Sequence, residues 1–505
     1  MELVFPELKL PEKYKTKKKK ILLMSDDIRT TSGVANISRE IVVGTSHIFD
    51  WVQLGSGLKH PDNGKVFDLS ADINKKANIV NANVKIYAND GYGDSVVLSR
   101  LLEIEKPDAI LHFTDPRFWL WFYNMEREIR TKIPIMYYTI WDNLPFPHWN
   151  EPYYDSCDAL MCISKQTYNL VKHTCYKHPK QDWAISYVPH GVDHKIFFPI
   201  DQHNPFWEEF KKFEQDFKKQ NDVDFIFFWN NRNAGRKQPG DVVLAFKTFC
   251  DKLPKNKAKR VALLMHTEIT SAPGGEGTDL GEVVRNLCPD YKVIFSPARE
   301  SLKVMNFIYN LVDVTINIAS NEGFGISSLE SILCGKVIIN NVTGGLQDQC
   351  RFENDLGDWI DFDEKFTSNH TGVYKKCGPW VKPVFPSNRS LKGSNATPYI
   401  FDDRCSFEEV ADAMLYWYNM PKLERLSKGL QGRDWATSIE SGMTAENMCK
   451  NMVKSINSCL ENFTPRNRFD LIRCSDKVYR NPKSGIYKME RKTHPSECGW
   501  DVSDH

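Results

Sequence analysis

No stretch of this 505-residue chain approaches the ~18 consecutive apolar residues that a membrane-crossing helix needs, so nothing in it reads as a spanning segment. Its 13 cysteines include no Cys-x-x-Cys pair, and no secretory h-region opens the chain. The thiols are therefore expected to be reduced in the cytoplasm, and the sequons at Asn341, Asn369 and Asn395 to be accidental. Neither charge sign dominates: the formal net charge is +1, which calls for no polyanionic partner. The one dense basic run, Lys13 to Lys20, is a solvated flank on its plainest reading, with a membrane-surface or nucleic-acid contact as the alternative. Repeats at solenoid spacing are missing too.

What is present is length for two or three cores and an alternation of short apolar runs with helical segments, the signature of doubly wound α/β domains. In the first half Ile21–Met24, Ala109–Phe113, Ile135–Thr139, Ala159–Ile163 and Ile185–Val188 read as strands. The Pro/Gly-punctuated connection from Pro189 to Pro199 is the expected boundary. A second α/β run follows, with strands from Asp224, Arg260, Lys292, Val312 and Val337. The expected organisation is an N-terminal domain over 1–197, a second over 198–462 with an irregular insertion at about 352–400, and a basic tail over 463–505 that packs back on the first. Two facing Rossmann-like units leave a cleft between them.

Glu322 and Glu330 straddle the turn Gly323-Phe324-Gly325, with seven residues between them. Before the turn Val314, Ile316 and Ile318 sit in a strand-like run, and after it Ile326, Leu329, Ile332 and Leu333 have helical spacing. The glycines thus fall where strand becomes helix. Main-chain N–H groups from Gly323 through Phe324, Gly325 and Ile326 to Ser327 can approach an anion there, and the helix start supplies positive potential for a diphosphate. Were the segment wholly helical, the carboxylates would lie ~12 Å apart, enough to hold a sugar hydroxyl at one end and a ribose at the other. A second signal, Trp229 to Gly240, carries Arg232 for bidentate phosphate contact and Lys237 as a point charge.

Arg232, Lys237 and Gly240, the strand end at Phe295-Ser296, the Glu322-to-Glu330 element and Thr343-Gly344-Gly345-Leu346-Gln347-Asp348 occur in an order similar to the donor domain of glycogen-synthase-like retaining GT-B glycosyltransferases. Ser32-Gly33-Val34-Ala35 resembles their first glycine loop, Lys106-Pro107-Asp108 their KPD strand, Ser164-Lys165 their SK segment, and Pro189-His190-Gly191-Val192-Asp193 their inter-domain PNGVD. The resemblance covers roughly residues 20 to 350 and two late helices.

The resemblance implies a GT-B fold and transfer of a hexose from a UDP- or GDP-linked donor to an acceptor hydroxyl, with the donor phosphate accepting the proton. Arg232, Lys237, the amides of Gly323 to Ser327 and the Gly33 loop would stabilise the leaving diphosphate. Glu322 would bind the transferred sugar, Glu330 the ribose, and main chain near Ser296 the base. No Asp-x-Asp motif stands at a strand end, so no metal and no cofactor beyond the substrate is implied; Asp361-Phe362-Asp363 falls in the irregular stretch. Where relatives often carry a sugar-contacting His, this chain has Trp141-Asp142, and Asp142 is the candidate for that place. Expected acceptors are a saccharide, a lipid or a protein; a nucleic acid is less favoured, and peripheral membrane contact stays open. A GT-B sugar-nucleotide epimerase and an inactive nucleotide-sugar-binding protein are the alternatives.

Overall fold

The run Ile21-Leu22-Leu23-Met24 offers no polar side chain to water, and such a run is stable in a parallel sheet covered on both faces. In the computed structural model, which describes residues 17–57, 59–175, 180–271, 276–361, 374–395, 397–467, 474–480 and 487–491, it forms the buried middle of β1 (Lys19–Asp26). β2 (Phe49–Gly57), β3 (Val66–Asp68), β4 (Val84–Asp90) and β5 (Ala109–Phe113) join it in the order β3-β4-β2-β1-β5, parallel except for β3. β2, β3 and β4 are absent from the sequence reading. In β2 the polar residues Asp50, Gln53 and Ser56 interrupt the apolar pattern, yet Gln53 is buried because its amide donates to Ser25 Oγ (2.8 Å) and Asp26 O (2.8 Å).

Contacts divide the chain into two compact units, Met1–Met136 with Leu460–Arg466, and Tyr137–Cys459 with Asn467–His505. In the first, Arg466 N donates to Arg130 O at 2.9 Å. β6 (Ile135–Thr139) begins at the division and leads into β7 (Ala159–Cys162) and β8 (Ile185–Tyr187), which lie parallel. The connection after β8 lies within the second unit, where Val192 N donates to Met443 O (3.1 Å) and Ala445 N to Val192 O (3.1 Å).

The second unit's other sheet contains β9 (Phe225–Asn230), β10 (Val261–His266), β11 (Lys292–Phe295), β12 (Val314–Asn317), β13 (Val337–Asn341) and β14 (Val381–Val384), all parallel, in the order β11-β10-β9-β12-β13-β14. Counted from β9 this is the Rossmann order 3-2-1-4-5-6, whose direction reverses between β9 and β12. Phe227 and Trp229 of β9 pack with Val242, Phe246 and Phe249 of the helix Pro239–Asp251 and with Val410, Met414 and Trp417 of the helix Phe407–Asn419. Each such side chain taken fully out of water contributes ~1.5–3 kcal/mol.

The unpatterned stretch 352–400 supplies β14 and most of a hairpin, β15 (Asn388–Ser394) with β16 (Thr397–Arg404). A further hairpin, β17 (Cys474–Arg480) with β18 (Tyr487–Arg491), lies in the tail. Lys13 to Thr16, Phe362, Asp363, Asn369, Arg468 and Arg473 lie outside the described residues. Among the described residues no helix is long and apolar enough to cross a membrane.

Candidate active site

The Rossmann order puts one place in the second sheet where loops from neighbouring strands diverge, and open α/β sheets bind ligands there, beyond the strands' C-terminal ends. β9 ends at Asn230 and β12 at Asn317, on either side of that place. From β9 the chain enters a loop that closes in the short turn Gly235–Lys237; from β12 it enters Ser320 to Gly325. Ser320 N donates to Arg236 O at 2.8 Å and Arg236 Nη1 donates to Asn321 O at 2.9 Å, so the two loops are laced together. The lacing brings Lys237 Nζ onto Glu322 Oε2 in an ion pair whose members are 8% and 9% exposed.

A buried ion pair persists only when attraction outweighs desolvation. Burial pushes the Glu322 carboxyl up, but Lys237 and Arg236 more than offset it and hold the group below its ordinary range. Burial lowers Lys237, with Glu322 opposing and the like charge of Arg236 assisting. The carboxylate is held ionised, since two cations act on it together. Asp142 is the third charge. Burial raises it to about 6, Glu322 adds to the rise, and Arg236 and Lys237 oppose it. A side chain on Gly323 would come within 2.9 Å of Ile163 Cδ1, 3.4 Å of Ile140 O and 3.8 Å of Asp142 Cβ, so the glycine turn lies directly against the end of β6.

Gly325 has φ +87°, a left-handed conformation open to glycine, and is the N-cap of the helix Ile326–Leu333. Glu322 therefore precedes the helix, and the wholly helical geometry that puts the two glutamates ~12 Å apart along one axis does not apply. The turn is held from outside. Gly345 N donates to Glu322 O (2.9 Å), and a side chain on Gly344 would overlap that same carbonyl. Gln349 Nε2 donates to Phe324 O (2.7 Å) and Gly325 O (3.0 Å). Asn321 Nδ2 donates to Asn143 Oδ1 (2.8 Å), and Gln347 Nε2 to Gln166 Oε1 (2.9 Å), whose own amide donates to Asp142 O (2.8 Å). The result is a glycine turn in which the Gln349 amide occupies the Phe324 and Gly325 carbonyls and the Gly345 N–H that of Glu322.

Glu330 lies on the helix. Tyr309 Oη donates to its Oε2 at 2.6 Å, and Asn230 Nδ2 donates to Tyr309 Oη at 2.9 Å, which ties the end of β9 to the helix. Burial raises Glu330 to about 7. Ile326 and Ser327 are partly exposed in the first turn, and Phe324 is buried with its ring 5.2 Å from that of His190. His190 is itself buried, with Nδ1 2.7 Å from Tyr138 Oη, and is held by burial at about 3, hence neutral. Ser296 follows β11; its N donates to Met265 O (2.9 Å) and its Oγ is 3.1 Å from His266 Nδ1.

The structure brings together Lys237, Glu322, Asp142 and the Gly323-to-Ser327 turn. Arg232 is exposed, and its charge acts on Glu268. Gly33 belongs to the first unit, where it opens the helix Gly33–Thr45 with open space about it. His148 is exposed. Sequence reasoning passed over Arg236, although it stands beside Lys237 in the same turn, and it passed over Tyr309, Asn321 and Gln349. Their only signal is polarity inside otherwise apolar or capped segments.

No family model matches the chain, and no curated protein matches it. Solved structures do. HepE from Anabaena in complex with UDP-glucose has a TM-score of 0.58 at 12% identity, over 87% of this chain and 99% of that one. An alpha,alpha-trehalose-phosphate synthase (UDP-forming) from Burkholderia vietnamiensis has a TM-score of 0.59 at 11% identity, over 88% and 98%. Sucrose-phosphate synthase from Thermosynechococcus elongatus has a TM-score of 0.56 at 12% identity, over 88% and 100%. The chain has the fold of these proteins, the GT-B fold of two Rossmann-like domains.

Proposed function

We propose that this protein is a retaining, metal-independent hexosyltransferase that moves a sugar from a UDP-linked donor to an acceptor hydroxyl in the cytoplasm. The observation that carries the reading is the buried Lys237–Glu322 pair, with Arg236 and Asp142 around it, at the strand-order reversal beside a glycine turn that starts a helix. Two solved neighbours of the same fold support the donor class, one of them holding UDP-glucose and the other a UDP-forming synthase.

In this reading the acceptor oxygen bonds to the anomeric carbon as the bond from that carbon to the diphosphate breaks, and the acceptor's proton leaves with the diphosphate. The protein's task is to meet negative charge as it develops. Lys237 and the neighbouring Arg236 supply cations, Arg232 adds an exposed one from the same loop, and the amides of Gly323 to Ser327 with the helix start supply oriented dipoles. Those charges take the place a metal ion has in other phosphate sites. Glu322 accepts hydroxyls of the transferred sugar while steadying Lys237. Asp142, ionised above about pH 6, faces the positive charge that builds at the anomeric carbon. Glu330 offers the ribose the carboxylate oxygen that Tyr309 does not engage, and main chain at Ser296 meets the base.

The test is turnover of UDP-glucose with and without a panel of saccharide, lipid and peptide acceptors. Acceptor-dependent release of UDP that is lost in Lys237→Ala and Glu322→Ala supports the transferase. Conversion of the donor to another sugar nucleotide without acceptor identifies an epimerase instead, and donor binding without turnover identifies a binding protein.

A further inference from the structure

The hairpin of β15 and β16 comes mostly from the stretch that carries no pattern in the sequence, yet it is fastened at the candidate site. In a two-stranded hairpin alternate residues of each strand turn their main-chain groups away from the partner strand, and that edge must find other partners. Phe401 and Asp403 of β16 do so here, and all four of their main-chain groups are taken. Phe401 N donates to Leu144 O (2.7 Å) and Asp403 N to Ser320 O (3.2 Å). Phe401 O accepts from Asn321 Nδ2 (2.6 Å) and Asp403 O from Asn341 Nδ2 (2.9 Å). Side chains secure the same edge. Thr343 Oγ1 donates to Oδ2 of the fully buried Asp403 (2.9 Å), and Tyr399 Oη to Phe146 O (3.2 Å), with Trp149 edge-on against the tyrosine ring. This edge of the hairpin is therefore a fixed wall.

Against that wall a single amide closes two loops. Asn321 is 4% exposed, and its side-chain nitrogen donates to two different segments, to Phe401 O and to Asn143 Oδ1 (2.8 Å). Asn321 precedes Glu322 in the chain, and Asn143 follows Asp142. The amide thus ties the residue beside one carboxylate to the residue beside the other, and ties both to the hairpin. Glu322 adds to the rise of Asp142, so the two carboxylates lie close enough to act on each other and do not attract. A neutral double donor suits the task, because it fixes the loops without adding a charge to a place that already holds Lys237, Arg236, Glu322 and Asp142.

We propose that Asn321 is a positioning residue: by holding Asn143 against the main chain of Phe401, it sets Asp142 in its place beside Glu322 and the glycine turn. That this place serves sugar transfer rests on the hexosyltransferase reading; the positioning does not.

Two readouts on the full chain test it, with Asn321→Leu, which keeps the size and neutrality of the side chain but removes both donors, and with Asn143→Ala, which removes one acceptor. The first readout needs no substrate: the titration of the Asp142 carboxyl, followed by carboxyl-carbon NMR on an aspartate-labelled chain and identified by the signal that Asp142→Asn deletes. In the wild type the midpoint should stand at about 6, held up mainly by burial, with Glu322 from the loop after β12 adding to the rise and Arg236 and Lys237 from the loop after β9 opposing it. In the variants it should fall towards the ordinary 3.8, as the loosened loop admits water. The second readout is turnover of UDP-glucose. There kcat should drop about 10²-fold, the loss that a misplacement of ~1 Å can cause, with donor KM little changed, and the double variant should lose no more than the worse single one. A midpoint that does not move in the folded variants overturns the assignment, whatever the turnover. A midpoint that moves while the wild type shows no turnover upholds the positioning and fells only the hexosyltransferase reading.

Discussion

Lys237 and Glu322 are each nearly excluded from water, and each is compensated mainly by the other. Taking away one member leaves a buried charge without its counter-ion, at a cost of ~3–5 kcal/mol, so Lys237→Ala should lower the denaturation midpoint as well as abolish transfer. To separate the two effects, residual kcat is compared below the melting transition, where a loss of at least ~10²-fold is expected from the missing stabilisation of the leaving diphosphate. Retention of wild-type kcat would remove Lys237 from the site. Asp142 gives a pH signature. Its carboxyl is raised to about 6, so if its charge steadies the anomeric centre, kcat should rise with pH through about 6 and Asp142→Asn should lose that limb of the profile. Glu330 gives another, read in stability. Burial raises it from 4.5 to about 7, so between those values the folded chain holds a proton that the unfolded chain has released. Its contribution is therefore complete below pH 4.5 and drains away as pH climbs through about 7, by up to ~3 kcal/mol. Denaturant melts at pH 5 and pH 8 should show a smaller decline in Glu330→Gln than in the wild type; equal declines would mean that Glu330 titrates as an ordinary surface carboxyl.

Among elements, the glycine turn after β12 depends on a partner segment that the sequence presents only as Thr343-Gly344-Gly345. Gly344 has φ +51° and faces the Glu322 carbonyl with no space for a side chain. Gly344→Ala should therefore push the turn away, costing ~1–3 kcal/mol through backbone strain, and raise KM for the donor more than Gly240→Ala, where the added methyl group would meet only Thr278 Cγ2 at 3.9 Å. Equal KM values for the two variants would count against a turn shaped by its neighbour. The same elements show what a sequence can and cannot disclose. β9 to β13 are legible because apolar residues run through β9 and β10 almost unbroken, and in β11, β12 and β13 they still outnumber or alternate with the polar ones. β14 is not, since Lys382 and Pro383 occupy half of its four residues, which an edge strand tolerates. β2 is hidden by Gln53, whose burial makes sense only once Ser25 and Asp26 of β1 are seen to accept from it.

For the whole molecule, the two-Rossmann fold is legible from strand alternation and motif order, and solved structures at 11–12% identity share it over nearly their full length. The candidate site is legible as separate pieces: a glycine turn with acids at either end, and a cationic turn after a strand. Their meeting is not, because it depends on β9 and β12 being neighbours although β10 and β11 intervene in the chain, and on amides such as Asn321 and Gln349 that carry no motif. Nor does the chain spell out its base preference, since main chain near Ser296 would do the reading. That preference can be measured through stability. A ligand that binds only the folded chain adds RT ln(1 + [L]/Kd), ~2.7 kcal/mol at a hundred times Kd. With the diphosphate held at Lys237 and the ribose at Glu330, UDP at that excess should raise the melting temperature by several degrees. Glu330→Ala should cut the shift while leaving the pyrophosphate contacts intact, so inorganic pyrophosphate should stabilise wild type and variant alike. An equal shift with GDP would overturn the choice of uridine. Silence from both nucleotides would remove the nucleotide-sugar reading itself, because a cradle of one buried lysine, exposed arginines and helix-start amides that does not respond to a diphosphate has some other occupant.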